Sequence, residues 1–146
     1  MSGAYPFSHR LRVRYNECDP QNVVFNANYF TYFDITITEL WRAAFGSYQA
    51  MLESGVDMMV IEARARYLAP ARFDDELDIG ARIVRLGNTS LVTELAVTLD
   101  GSAVTEGRLS HVFVDPVTQL KREIPAEVRR GLEPYLVETD AVRDGA

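Results

Sequence analysis

From Ala27 to Phe45 the chain reads as a helix with apolar residues on most of its faces. Tyr29, Phe33, Ile37, Leu40, Trp41, Ala44 and Phe45 fall three and four apart. Phe30 and Ile35 carry apolar surface onto further faces. Such a helix, about 28 Å long at 1.5 Å per residue, is better wrapped than laid on a surface. Gly46 ends it, and a short second helix over Ser47 to Ser54 is closed by Gly55.

The rest of the chain supplies the wrapping. Phe7, His9, Leu11 and Val13 alternate with Ser8, Arg10, Arg12 and Arg14, which predicts a strand with one buried face. Val56 to Leu68 is rich in strand formers, and Pro70 stops it. Further strands are expected over Glu76–Leu86, Ser90–Leu99 and Ala103–Val114, with hairpin turns at Gly87-Asn88 and Asp100-Gly101. The short connections from Val56 on predict an antiparallel meander. Pro125 to Tyr135 reads as a closing helix, and residues 1–6 and the polar tail from Val137 read as loose ends. The expected product is a single α+β domain over 1–146, with its core at about 7–135, in which five curved antiparallel strands surround one helix. One sheet face stays open, so a dimer is expected on physical grounds.

Composition narrows the function classes. A net charge of −6 without long basic runs disfavours a general nucleic-acid binder. The single cysteine, Cys18, excludes an intramolecular disulfide and argues against a cysteine-based zinc site. No window approaches the ~20 apolar residues of a membrane span, and no signal core opens the chain. A soluble cytoplasmic protein with no metal is the expectation.

The chemistry concentrates in Tyr15 to Asp34, YNECDPQNVVFNANYFTYFD. Asp19-Pro20 is a turn, and a helix begins shortly after it. Asn26 and Asn28 are the candidate caps. A helix head offers unpaired amides and partial positive charge, which suit a carbonyl oxygen that is becoming an oxyanion. A carboxylate nearby can attack the carbonyl carbon or take a proton from a water that does. The plain alternative is that Asp19 only bonds local turn amides. Glu17 reads as a solvated loop carboxylate, Cys18 as loop filler, and His9 and His111 as packing residues on strands. Arg64, Arg66 and Arg72 could hold phosphates, or could form a solvated face beside Asp74, Asp75 and Glu76.

The stretch CDPQNVVFNANYFTYFD resembles the motif of the 4-hydroxybenzoyl-CoA thioesterase family, a branch of the hotdog-fold acyl-CoA thioesterases. The matching positions are Asp19, the turn Pro20-Gln21-Asn22, Val23-Val24-Phe25, Asn28-Tyr29 and Tyr32-Phe33-Asp34. ARARYLAPARFDDELDI and GRLSHVFVD resemble its later stretches, so the likeness runs over about 7–135. It implies a hotdog fold and homodimers, often paired into tetramers, with the active site at the subunit interface. It implies hydrolysis of an acyl- or aroyl-CoA, with coenzyme A as part of the substrate and no separate cofactor. Asp19 would be nucleophile or general base, and a backbone amide at Asn26 or its neighbour would polarise the thioester. Val23, Val24 and Phe25 would line an acyl pocket with Asn28 and Tyr29, and Arg64, Arg66 and Arg72 would hold coenzyme A.

Two positions depart from the family pattern. Asn22 stands where many acyl-CoA members carry Gly, and Asn26 where many carry His. Asn26 keeps hydrogen-bonding ability but cannot act as a base near neutral pH. The aryl-CoA members also lack that His. A non-catalytic thioester binder and a hydrolase of acyl-carrier-protein thioesters remain alternatives. A dehydratase or isomerase of the wider group ranks last, since the histidine arrangement those enzymes use is not seen.

Overall fold

The computed structural model describes residues 5–138. Strand β1 (Phe7–Arg12) leads through a tight 3-10 turn at Tyr15–Glu17 to the long helix α1 (Asn28–Phe45) and the short α2 (Tyr48–Glu53). Then come β2 (Asp57–Tyr67), β3 (Glu76–Leu86), β4 (Ser90–Leu99), β5 (Ser102–Val114) and α3 (Ala126–Leu132). Gly46 ends α1 with φ at +87°, and its N–H bonds Arg42 O at 2.8 Å. Ser47 caps α2 by accepting the Ala50 N–H at 3.0 Å. At the β4–β5 turn, Asp100 and Gly101 both take positive φ, as a two-residue hairpin requires.

The five strands form one antiparallel sheet in the order β1-β3-β4-β5-β2. The expected meander holds only for β3, β4 and β5. β2 pairs with β5 instead of β3, so the connection after Tyr67 crosses from the β2 edge past β5 and β4 to β3, the neighbour of the far edge strand β1. Crossing three strand spacings of about 4.8 Å takes ~14 Å, which residues 68–75 span with ease. On the way the connection is fixed by Leu68 N–H to Val104 O at 2.9 Å and by Val13 N–H to Asp75 O at 2.9 Å.

Helix α1 lies on one face of the sheet. Tyr29, Tyr32, Phe33, Thr36, Ile37, Leu40 and Trp41 are buried there. They meet Leu77, Ile79, Ala81, Ile83, Leu91, Leu95, Val97, Leu109 and Phe113 in one core. The wrapping is less complete than the sequence predicts, because Thr31, Asp34, Ile35 and Thr38 face outward. A single five-stranded sheet curves around half a helix and leaves the outer stripe bare. The ring of Phe33 rests on Gly107, where an added Cβ would lie 2.4 Å from it.

The expected loose ends are anchored where they are described. Tyr5 lies over the Arg82 guanidinium at 4.6 Å, and Val137 N–H bonds Ile83 O at 2.8 Å. The remainder of both ends lies outside the described residues. On the sheet face away from α1, Arg82 and Arg108 bracket Glu94 at 2.9 and 3.5 Å.

Candidate active site

Residues 17–25 fold into a small hairpin in front of α1. Phe25 N–H bonds Glu17 O at 3.0 Å, Asp19 N–H bonds Val23 O at 2.9 Å, and Cys18 faces Val24 between them. At its tip Asn22 takes a φ of +64°, the left-handed conformation that Gly and Asn tolerate best. That geometry accounts for the exchange of Gly for Asn at this position. Val24 N–H bonds Ala71 O at 2.8 Å and ties the hairpin to the crossing connection.

Asp19 has two functions available at once. Its Oδ1 accepts the Gln21 N–H at 2.8 Å, the local turn bond expected of Asp before Pro. Its other oxygen has no partner among the described residues. The turn therefore fixes the carboxyl while leaving one anionic oxygen open.

The head of α1 is uncapped. Ala27 is the N-cap residue and provides no side-chain bond. Asn28 N–H bonds Phe25 O at 2.9 Å and Tyr29 N–H bonds Asn26 O at 3.3 Å. The N–H groups of Asn26 and Ala27 have no acceptor among the described residues, and both residues are exposed. The expected capping by Asn26 or Asn28 does not occur. Asn28 Nδ2 instead donates to Glu17 O at 2.7 Å and clamps the hairpin base.

Glu17, expected as a solvated carboxylate, is a brace. Its Oε1 accepts the Arg14 N–H at 2.8 Å and the Tyr32 hydroxyl at 2.9 Å. Burial, with the Glu17 bond, pushes the Tyr32 phenol far above its ordinary range, so it stays a donor. An open recess of about 640 Å³ adjoins this bond, walled by Leu11, Val13, Tyr15, Ile35 and Phe73 and bordered by His9, Arg10, Arg12, Arg14 and Asp74.

The structure brings most of the sequence candidates together. Asp19, Val23, Val24, Phe25, Asn26, Asn28 and Tyr29 belong to the hairpin and the helix head. Val24 and Tyr29 are buried, whereas Phe25 is exposed. Arg72 follows Ala71 and is exposed beside the hairpin. Arg64 and Arg66 stand elsewhere. They pair in register with Arg108 and Glu106, while Ala65 and Tyr67 pair with Gly107 and Thr105. Alternate residues of a strand point to opposite faces, so both arginines lie on the face away from α1, and Arg64 bonds Glu62 at 3.0 Å. Sequence reasoning passed over Tyr67, whose hydroxyl donates to Asn26 O at 3.0 Å. Its place in the inward phase of β2 was the available signal.

His9 lines the recess with Glu17 and Tyr32, whereas His111 stands apart from it. His111 is buried on the helix side of β5, and burial lowers its pKa to about 4. Its Nδ1 has no partner among the described residues. The unfolded chain therefore takes up a proton near pH 6.5, while the folded chain resists until about pH 4. Stability present above pH 6.5 is lost as pH falls through that window. Urea unfolding should show a loss of about 2 kcal/mol from this group between pH 7 and 5, and His111→Leu should flatten that part of the profile. Among the described residues no three His, Cys, Asp or Glu side chains converge as metal ligands. No described helix is long and apolar enough to cross a membrane.

A curved five-stranded antiparallel sheet packed around one long helix is the hotdog architecture, and the chain is a thioester hydrolase. The thioesterase superfamily model matches residues 21–106, and the chain belongs to that family. It is 32% identical over 123 residues to the acyl-CoA thioester hydrolase YbgC of Escherichia coli O6:H1, which covers 84% of this chain and 92% of the relative. The crystal structure of the PA5185 protein of Pseudomonas aeruginosa superposes with a TM-score of 0.83 at 28% identity, covering 93% and 95% of the two chains. A 1,4-dihydroxy-2-naphthoyl-CoA thioesterase from Synechocystis shares the fold, with a TM-score of 0.78 at 15% identity over 86% and 94%.

Proposed function

We propose that this enzyme hydrolyses acyl- or aroyl-CoA thioesters, with Asp19 as the working carboxylate and the helix-head amides at Asn26 and Ala27 as the carbonyl-binding group. One observation carries the reading: an open Asp19 oxygen and two unpaired amides belong to a single hairpin–helix unit. The relative named as an acyl-CoA thioester hydrolase supports the substrate class.

The thioester oxygen sits at the helix head, where the amides and the helix dipole stabilise the charge that develops on it. Asp19 either removes a proton from water as the water oxygen adds to the carbonyl carbon, or attacks that carbon itself. In both routes the C–S bond breaks, and the thiolate leaves and takes a proton. In the base route the water oxygen enters the free acid. In the nucleophilic route water opens the mixed anhydride at the Asp19 carbon, so an Asp19 oxygen leaves with the acid and the water oxygen stays on Asp19. Asn26 contributes through its main chain. The recess beside Glu17 and Tyr32, with Leu11, Val13, Tyr15, Ile35 and Phe73 in its wall, offers room for an acyl group, whereas Val23, Val24 and Phe25 lie outside its lining. Arg72 is the arginine best placed for the coenzyme A phosphates. A tie to the sheet face remote from α1 makes Arg64 and Arg66 weaker candidates.

β2 is an edge strand with Met59, Val60, Ile61 and Tyr67 exposed, and a long apolar edge invites a partner strand. A homodimer paired along β2, with tetramers built from it, fits that edge and brings a second subunit close to the hairpin.

A turnover screen across aliphatic, phenylacetyl and hydroxybenzoyl CoA esters tests the reading. Release of free thiol is the expected result, and binding without release over long incubation would instead make the protein a thioester binder. Single turnover in isotopically labelled water separates the routes. Label in the Asp19 carboxylate marks the mixed anhydride.

A further inference from the structure

We propose that Tyr67 is a positioning residue that orients and strengthens the carbonyl-binding amides from the far side of their own peptide. The inference rests on the reading of Asp19 and the helix head given above. The Tyr67 hydroxyl donates to Asn26 O at 3.0 Å, and the same oxygen accepts the Tyr29 N–H at 3.3 Å. That oxygen belongs to the peptide joining Asn26 to Ala27. The N–H at the other end of this peptide is Ala27's, one of the two unpaired amides.

Two physical effects follow. A hydrogen bond accepted by a peptide carbonyl polarises the whole unit, which makes its N–H a better donor. The bond also fastens a turn, the softest part of the site, to the end of a sheet strand. β2 is held along its length by β5, so its terminal side chain is a rigid post. The phenol does not depend on the hydroxyl for its placement, because its ring meets the edge of buried Tyr29 at 5.7 Å.

Stability alone does not account for this bond. Asn26 O keeps the Tyr29 N–H at 3.3 Å if the Tyr67 bond is absent, so the carbonyl is not left unsatisfied. What that bond alone would not reproduce is the fixed direction of the 26–27 peptide. The bond is therefore worth more to the geometry of the helix head than to the folded state.

Tyr67→Phe keeps the ring and its contact with Tyr29 while deleting the donor. The expected result is a fall in kcat of about ten-fold, less than the loss of a whole oxyanion donor, with KM and melting temperature unchanged. The Ala27 amide resonance should move, while those of the β3–β4 hairpin stay in place. Replacing Tyr67 with 4-aminophenylalanine, which restores an N–H donor on the same ring, should recover most of the lost kcat. An unchanged kcat in Tyr67→Phe overturns the inference. A raised KM with intact kcat also overturns it, because Tyr67 would then be a substrate contact. If the variant melts early, kcat per folded enzyme and the Ala27 resonance are measured below its transition, where a lowered kcat with a moved resonance supports the role and an unchanged kcat overturns it. Asp19→Asn measured alongside separates the two ideas. An active Asp19→Asn enzyme defeats the site reading itself, whereas an inactive one beside a fully active Tyr67→Phe defeats only the role of Tyr67.

Discussion

Asp19→Asn is expected to lower turnover of a CoA thioester by two or more orders of magnitude, on the order of the full contribution of a positioned base, with the fold intact. The separation of activity from stability follows from how the carboxyl is held. Asn keeps an oxygen that can accept the Gln21 N–H, the 2.8 Å bond that shapes the turn. It also leaves untouched the three cross-hairpin contacts of Glu17, Cys18 and Asp19 with Phe25, Val24 and Val23. What it removes is the open anionic oxygen. A steady-state assay paired with a melting curve gives the check, and near-wild-type turnover would end the assignment. Asp19→Ala is a poorer probe because it also deletes the turn bond, so an inactive Ala variant would mix chemistry with a displaced hairpin.

The largest expected effect on stability comes from Gly107→Val, at about 3 kcal/mol, the upper part of the range for overpacking a filled core. The Cβ alone would lie 2.4 Å from the Phe33 ring, and 2.6 and 2.9 Å from two further ring carbons. Neither side yields easily. Phe33 is fully buried, and Gly107 is held in register by Ala65 on one side and Leu95 on the other. Relief requires α1 to lift from the sheet. Phe33→Leu, which withdraws the ring, should restore part of the loss, so the two changes should be strongly non-additive. Urea midpoints of the single and double variants measure this. A Gly107→Val protein as stable as wild type would show that α1 is not seated on β5 in this way. Lifting the helix would also move the amides of Asn26 and Ala27, so residual folded enzyme should be slower.

The residues that revealed the fold were those whose signal is local. The period-two runs of β3, β4 and β5 and the helical run of α1 are each readable within one element, and each was placed within two residues of its observed ends. The partner of β2 was not readable. Pairing Ala65 with Gly107 is a contact between distant residues, and adjacency in sequence favoured the wrong neighbour, β3. Within the site, Asp19 was visible through the motif as a whole, since an Asp before Pro is otherwise an ordinary turn residue. The capping residues were misjudged for a tertiary reason. Asn28 has the right side chain, but Glu17 O, eleven residues earlier, claims it. Glu17 itself looked solvated because its partner Tyr32 is fifteen residues away on the other side of the hairpin. Arg64 and Arg66 were grouped with Arg72 by proximity in sequence, although a strand and the turn beyond it send them to different faces.

The uncapped head of α1 sets two demands against each other. A Ser or Asp at the N-cap position is worth about 1 kcal/mol to a helix relative to Ala, and this chain carries Ala27 there. A redesign guided by thermal tolerance would fill that position first. The new side chain would turn to the N–H groups of Tyr29 and Phe30, which already bond Asn26 O and Ala27 O. Its added bulk, and with Asp its charge, would stand beside the Asn26 and Ala27 amides that the thioester oxygen requires, so a gain in resistance to heat would come at the expense of turnover.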